Sequence, residues 1–303
     1  VTNNNLSTSD PVAAMVEALD ITDMSARTTE DIFTGKTLPM PHGRIYGGQV
    51  LAQAIVAASR TLPETRHVHS MHGYFLRPGD ATTTVTLSVD RIHDGRSFST
   101  RRVQAFQEGV PIFSMISSFQ DDDKGVEHQD AMPAGIPDPE DLPNSVDVLA
   151  EQMGPGWSDF FMATPLEQRY VTSPIQVAVT GERTATNAVW VKTRKRLPDD
   201  PWLHRAGLAF LSDTSIQDSV LRAHGVPWIT KGLKIASLDH AMWWHRDARV
   251  DEWLLYVQNS PNAINSRGLA QGRIYSRDGA LVASVAQEIM IRVPADTPGI
   301  TWK

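Results

Sequence analysis

A turn pair, Glu108-Gly109, returns as Asp278-Gly279 about 170 residues later, and the segments around the two pairs run in the same order. Placing one turn on the other brings PIFSMISSFQ (Pro111 to Gln120) onto LVASVAQEIM (Leu281 to Met290), and sets FLRP (Phe75 to Pro78) near WWHR (Trp243 to Arg246). A period that long exceeds any solenoid repeat and implies a duplicated domain. In the first copy, GGQVLAQAIVAASR (Gly47 to Arg60) puts Val50, Leu51, Ala54, Ile55 and Ala58 on one helical face. Strand-like runs follow, HVHSMHGYFLRP, TTTVTLSVDRI, SFSTRRVQAFQ and VPIFSMISSFQ; in the second of them Val85, Leu87 and Val89 alternate with Thr84, Thr86 and Ser88. In the second copy, WLHRAGLAFLSDTSIQDSVLRA predicts one helix from Trp202 to near Gly225. The runs LKIASLDHAMWWHR, EWLLYVQNSP, SRGLAQGRIYS and LVASVAQEIMIRV then predict strands.

The class that follows is α+β: two tandem repeats, each a long helix wrapped by a curved antiparallel sheet. Pairing the two sheets edge to edge would bury edges that otherwise template aggregation. The expected boundaries are a flexible lead-in over 1–30, a first repeat over 31–120 and a second over 186–296. An acidic, proline-rich connecting segment is expected over 121–185, opening on Asp121-Asp122-Asp123 and carrying prolines at 133, 137, 139 and 143.

Composition narrows the chemistry. The net charge of -7 argues against nucleic acid or an anionic membrane as a partner, so a polyanionic ligand would need a local arginine cluster. The absence of cysteine removes disulfides, thiolate metal sites and a thiol nucleophile together, and it fits a reducing compartment. No run approaches the ~18 apolar residues of a membrane span. VTNNNLSTSDP has no secretory pattern and ITWK is no peroxisomal or reticular address, so the cytoplasm is the expected location.

G-x-S-x-G, H-E-x-x-H, a P-loop and G-x-G-x-x-G are all missing, which favours positioned water over a standard nucleophile. His240 and His245 stand at odd spacing on one strand, facing opposite sides, and make a poor metal pair. No metal or cofactor is expected. In the last strand Leu281, Ala283, Val285, Gln287, Ile289 and Ile291 share a face, so Gln287 is a long amide among apolar neighbours. It is either satisfied by backbone and buried water or it holds a water or a carbonyl. Its counterpart in the first repeat is Ser117. Asp213 shares a helical face with Ala206, Ala209, Phe210, Ile216 and Val220, where a carboxylate must be paired, protonated or engaged in chemistry. Alternatively, the run Ser212-Asp213-Thr214-Ser215 caps a break in the helix. Ser237 and Asp239 fall in the strand after that helix; His69, Ser70 and His72 fall in its first-repeat counterpart, where structural roles are simplest.

YGGQVLAQAI, VHSMHGYFLRPGD, DGRSFSTRRVQAFQEGVPIFSMISSFQ, SLDHAMWWHR, EWLLY and DGALVASVAQE together resemble the acyl-CoA thioesterase II (TesB-type) family, from about Phe33 to Val293 outside the connecting segment. The resemblance implies a double hotdog that hydrolyses acyl-CoA, commonly of medium to long chain, to free acid and CoA. It implies a water-binding set at Asp213, Ser237 and Gln287, with His69 as a possible secondary residue. Two departures stand out: Ser237 replaces the threonine of many bacterial members, and LSDTSIQDS differs from the more aromatic sequence usual after the aspartate. Arg77, Arg96, Arg102, Arg246 and Arg267 are candidate contacts for CoA phosphates. The resemblance also implies a homo-oligomer, dimer or tetramer. The main alternative is a non-catalytic acyl-CoA sensor or carrier on the same fold. A hotdog hydratase is disfavoured because D-x-N-P-x-H is absent.

Overall fold

The computed structural model describes residues 10–25, 29–40, 43–153, 164–297 and 300. Among them the strands are β1 (Thr22–Asp23), β2 (Asp31–Gly35), β3 (Arg66–Phe75), β4 (Val85–Asp94), β5 (Phe98–Gln107), β6 (Val110–Asp121), β7 (Leu166–Tyr170), β8 (Thr186–Thr193), β9 (Lys234–Ser237), β10 (Asp239–Trp244), β11 (Leu254–Ile264), β12 (Arg267–Ser276) and β13 (Leu281–Arg292). The helices are α1 (Pro11–Leu19), α2 (Gly47–Ser59), α3 (Ser145–Met153), α4 (Pro201–Ser212) and α5 (Asp218–His224).

All thirteen strands join in one sheet, ordered β1-β2-β4-β5-β6-β3-β10-β13-β12-β11-β8-β7, with β9 also on β13. The seam between the repeats is the antiparallel pair β3–β10, in register from Asp239 opposite Tyr74 to Trp243 opposite Ser70. This is the double hotdog, an α+β fold with the two sheets made continuous. The inner face of the sheet is buried in strict alternation, as in Val103 and Ala105 of β5 or Val285, Gln287 and Ile289 of β13.

Inside the sheet, α2 and α4 lie against each other. A Cβ at Gly48 would come within 2.3 Å of the Phe210 carbonyl oxygen and 2.5 Å of the Tyr46 ring, so only glycine lets α2 approach this closely. At Gly47 a Cβ would stand 2.8 Å from Asp213 Oδ2. The glycine pair at the start of α2 therefore brings a helix N-terminus onto the end of α4.

Three sequence expectations are corrected. The lead-in expected over 1–30 contains α1, capped by Asp10, whose carboxylate accepts from Val12 N at 3.1 Å. Val12, Met15 and Leu19 share one face of α1 and are buried, which holds it on the core; residues 1–9 and 26–28 lie outside the described residues. The connecting segment over 121–185 supplies β7 to the sheet edge, with Leu166 and Tyr170 buried. The single helix expected from Trp202 to Gly225 is two, α4 and α5, because the Ser212-Asp213-Thr214-Ser215 run breaks it. Ser215 adopts φ 54, which no helix accommodates. Among the described residues no helix is long and apolar enough to cross a membrane.

Candidate active site

The break after α4 is where the polar side chains gather. Asp213 caps α4 with φ -82 and ψ -13, and is 8% exposed. Its Oδ2 accepts from Gly48 N, in the first turn of α2, at 2.9 Å. A carboxylate at a helix N-terminus meets a free backbone N–H and the positive end of the helix dipole. Across from it, the Ser237 hydroxyl donates to Asp213 Oδ1 over a loose 3.5 Å. Ser237 Oγ in turn accepts from Gln287 Nε2 at 2.8 Å and from Gln217 Nε2 at 3.0 Å. Asp213, Ser237 and Gln287, from a helix end and two paired strands, are thus brought together.

Behind Gln287 stands His240, wholly buried, its Nδ1 bonded to Gln287 Oε1. An amide oxygen only accepts, so Nδ1 carries the proton and Nε2 is bare. Burial, the largest influence, pushes the imidazole pKa down and favours the uncharged ring, with the Asp213 charge pulling the other way. Nε2 lies 2.9 Å from Ser212 Oγ, which also reaches Ala209 O at 2.8 Å, and the one hydroxyl proton is shared between them. The chain of contacts, Ser212 to His240 to Gln287 to Ser237 to Asp213, fixes which way each amide and hydroxyl points.

The last carbonyls of α4 have no partner within the helix. Two tyrosines, Tyr256 buried and Tyr46 partly buried, supply one each: Tyr46 Oη donates to Phe210 O at 2.9 Å and Tyr256 Oη to Ser212 O at 2.7 Å. Burial first, then the nearby Asp213 charge, raises both phenol pKa values well above the ordinary range, so both remain donors. The turn after Asp213 is braced by Gln258 Nε2 donating to Ser215 Oγ at 2.8 Å and Gln168 Nε2 to Thr214 Oγ1 at 3.2 Å.

His69 is elsewhere. Its Nε2 lies 2.9 Å from Ser118 Oγ and its ring meets Phe98 edge-on at 5.8 Å. It stands six residues along β3 from Phe75, whose N–H reaches Leu238 O beside Ser237. At strand rise that is roughly 20 Å from the cluster. Of the arginine candidates, Arg102 is paired with Asp90 and Arg267 with Glu288, while Arg77 and Arg246 donate to the carbonyls of Pro111 and Leu281.

Among the described residues the duplication is not matched by a second cluster. Arg60 caps α2 where Asp213 caps α4. Val68, opposite Phe119, stands where Ser237 stands opposite Ile289. Ser117 replaces Gln287, and the residue across from it is buried Arg101, where Gln287 faces Ala270. The Arg101 guanidinium fills that half, donating to Thr61 Oγ1 at 2.7 Å and pairing with Asp94.

His240, Gln217 and Gly48 were missed by sequence reasoning. His240 carried the same signal as Gln287, a polar residue in step with buried Met242 and Trp244. The glycine pair at the start of α2 hinted at close approach. Gln217 lies in the helix break, where no periodicity marks it.

Comparison with known families agrees with this architecture. Residues 36–120 match the model of the acyl-CoA thioesterase N-terminal domain, and residues 159–290 match that of acyl-CoA thioesterase. The chain is 36% identical over 267 residues to acyl-CoA thioesterase 2 of Haemophilus influenzae, covering 86% of this chain and 92% of that one. The chain belongs to the acyl-CoA thioesterase II family. As a member it is a thioester hydrolase. Acyl-coenzyme A thioesterase 8 of Homo sapiens is also 36% identical, over 276 residues, with 87% of this chain and 85% of that one covered. Among solved structures, the acyl-CoA thioesterase II TesB2 of Mycobacterium marinum superposes with a TM-score of 0.75 at 40% identity, covering 93% of this chain and all of that one. A hot dog protein of Alicyclobacillus acidocaldarius superposes with a TM-score of 0.76 at 18% identity over 93% of this chain and 99% of that one, a likeness of fold. In this thioesterase the side chains of the polar cluster all come from the second repeat, and the first contributes the Gly48 N–H.

Proposed function

We propose that this thioesterase hydrolyses fatty acyl-CoA of medium to long chain to free fatty acid and CoA, using water activated at Asp213, Ser237 and Gln287 and no covalent intermediate. The observation that carries the reading is the convergence of Asp213, Ser237 and Gln287 at the mutual contact of α2 and α4. The attacking water gives a proton to Asp213 as its oxygen adds to the thioester carbonyl carbon. The resulting tetrahedral oxyanion collapses, the C–S bond breaks, and the proton passes to the CoA sulfur. Holding the water against the Asp213 carboxylate, in a frame fixed by the Ser237 hydroxyl and the Gln287 amide, starts the reaction from near-attack geometry. Ser237 is poorly placed as a nucleophile. Both lone pairs of its oxygen accept amide N–H groups, and the His240 imidazole presents its N–H to Gln287 and not to Ser237.

Thiol release from acyl-CoAs of increasing length tests this directly, because the protein contributes no thiol of its own. Turnover that favours the middle and long members is expected. Tight acyl-CoA binding with no thiol released would instead support the sensor or carrier.

The same reading includes a symmetric homo-oligomer, dimer or tetramer. Its support is the outer sheet face at the seam between repeats, where Tyr74 is 62% exposed, Ile116 51% and Trp243 36%. Light scattering should report a multiple of the chain mass, lowered to one chain by Tyr74→Lys with Trp243→Lys; a wild-type monomer would remove the idea.

A further inference from the structure

Ser237 Oγ receives two amide donors, and the second, from Gln217, belongs to none of the residues that the family resemblance implied. Gln217 Oε1 is buried and has no hydrogen-bond partner among the described residues. A side chain that gives an N–H to the site and leaves a buried acceptor unpaired can take a donor that arrives with the reaction.

The proton inventory says which donor. A water about to lose one proton to Asp213 has a second proton that also needs an acceptor. Ser237 cannot supply it, since its lone pairs take the two amides and its own proton goes to Asp213 Oδ1. Gln287 Oε1 already accepts from His240 Nδ1, and Asp213 Oδ2 from Gly48 N, so each has only part of its accepting capacity left. Gln217 Oε1, which has no bond among the described residues, is the most open of these acceptors. We propose that Gln217 binds the attacking water through Oε1 while its Nε2 holds the Ser237 hydroxyl as a donor toward Asp213. The helix break serves this arrangement, because one tight turn carries Asp213 at its start and Gln217 at its end, with Ser215 at positive φ between them. This role rests on the reading of Asp213 as the base.

The test compares wild type, Asp213→Ala, Gln217→Met and Gln217→Glu, with kcat and KM from thiol release and folding checked by circular dichroism. Gln217→Met keeps the length and removes both polar atoms; kcat should fall roughly 10–100-fold with KM little changed. Gln217→Glu adds a readout that a packing role would not move. Protonated, the carboxyl offers one donor and one acceptor like the amide; ionised, it only accepts and sits beside Asp213. Its kcat relative to wild type should therefore be highest at acid pH and fall as pH rises through the glutamate pKa. Wild-type kcat in folded Gln217→Met alongside an inactive Asp213→Ala would overturn this inference alone. If Gln217→Met does not fold, a Gln217→Glu profile parallel to wild type overturns it equally. An active Asp213→Ala would instead overturn the underlying reading of the site.

Discussion

Asp213→Asn should lower kcat by about 10²–10⁴-fold while leaving KM and the melting temperature close to wild type. The substitution is chosen to separate chemistry from architecture. An asparagine oxygen can still accept from Gly48 N, so the link between the start of α2 and the end of α4 survives. The Ser237 hydroxyl, already accepting from two amides, loses only a loose 3.5 Å contact to the other oxygen. What the amide cannot do is take a proton from water. Loss in kcat without loss in KM marks an interaction needed in the transition state and not for substrate binding. Near wild-type kcat in the folded variant would mean that another group accepts the proton.

The parts of this site that the sequence announced are those set by periodicity. Gln287 was visible because β13 alternates cleanly, so that one long amide falls in step with Leu281, Val285 and Ile289. The duplicated hairpins were visible because their turns need residues that tolerate positive φ, which Glu108 (φ 49), Gly109 (φ 77) and Gly279 (φ 89) supply. Asp213 was harder. Helical periodicity continued through it onto Ile216 and Val220, and both buried residues are there, one in the turn and the other on α5. A helix that breaks and resumes keeps its apolar spacing while freeing the intervening turn to present polar groups. The two sequence readings of Asp213, a capping residue at a break and a carboxylate doing chemistry, are therefore compatible, and here the break is what positions the carboxylate. His240 stands out in the sequence only as a poor metal ligand, because its place opposite Gln287 is decided by pairing across the sheet. Residue 217 had no pattern to betray it, and α1 was hidden by the polar residues before it.

Stability should fall between about pH 4 and pH 6 through one group, Asp218, the first residue of α5 and the neighbour of Gln217. Its carboxylate accepts from Tyr170 Oη at 3.0 Å and Trp228 Nε1 at 2.8 Å, clasping α5 to β7 and to the segment before β9. Burial raises its pKa from 3.8 to about 6, against the pull of those two bonds and of the Arg222 charge, itself disfavoured by burial. The sign follows from proton counting. Between the unfolded pKa and the folded one, the native state holds a proton that the unfolded chain has released, so raising the pH favours unfolding. A shift of about two units corresponds to about 3 kcal/mol, fully present below pH 4 and lost once pH passes 6. Other carboxylates act in the opposite direction at lower pH, among them Asp251, whose pKa is lowered by Arg249 and the Leu197 N–H despite its burial. The comparison with Asp218→Asn isolates the one group, because asparagine stays neutral and keeps an acceptor for Trp228 while Tyr170 can accept from its amide. Denaturant melts of both proteins at pH 4 and pH 7 should show the variant gaining about 3 kcal/mol relative to wild type across that interval. Parallel pH dependence in the two proteins would show that Asp218 does not carry the buried charge. Because Asp218 anchors the end of the turn that begins at Asp213, the variant's thiol-release rate should also lose less to thermal inactivation at neutral pH than at pH 4, each measured against wild type.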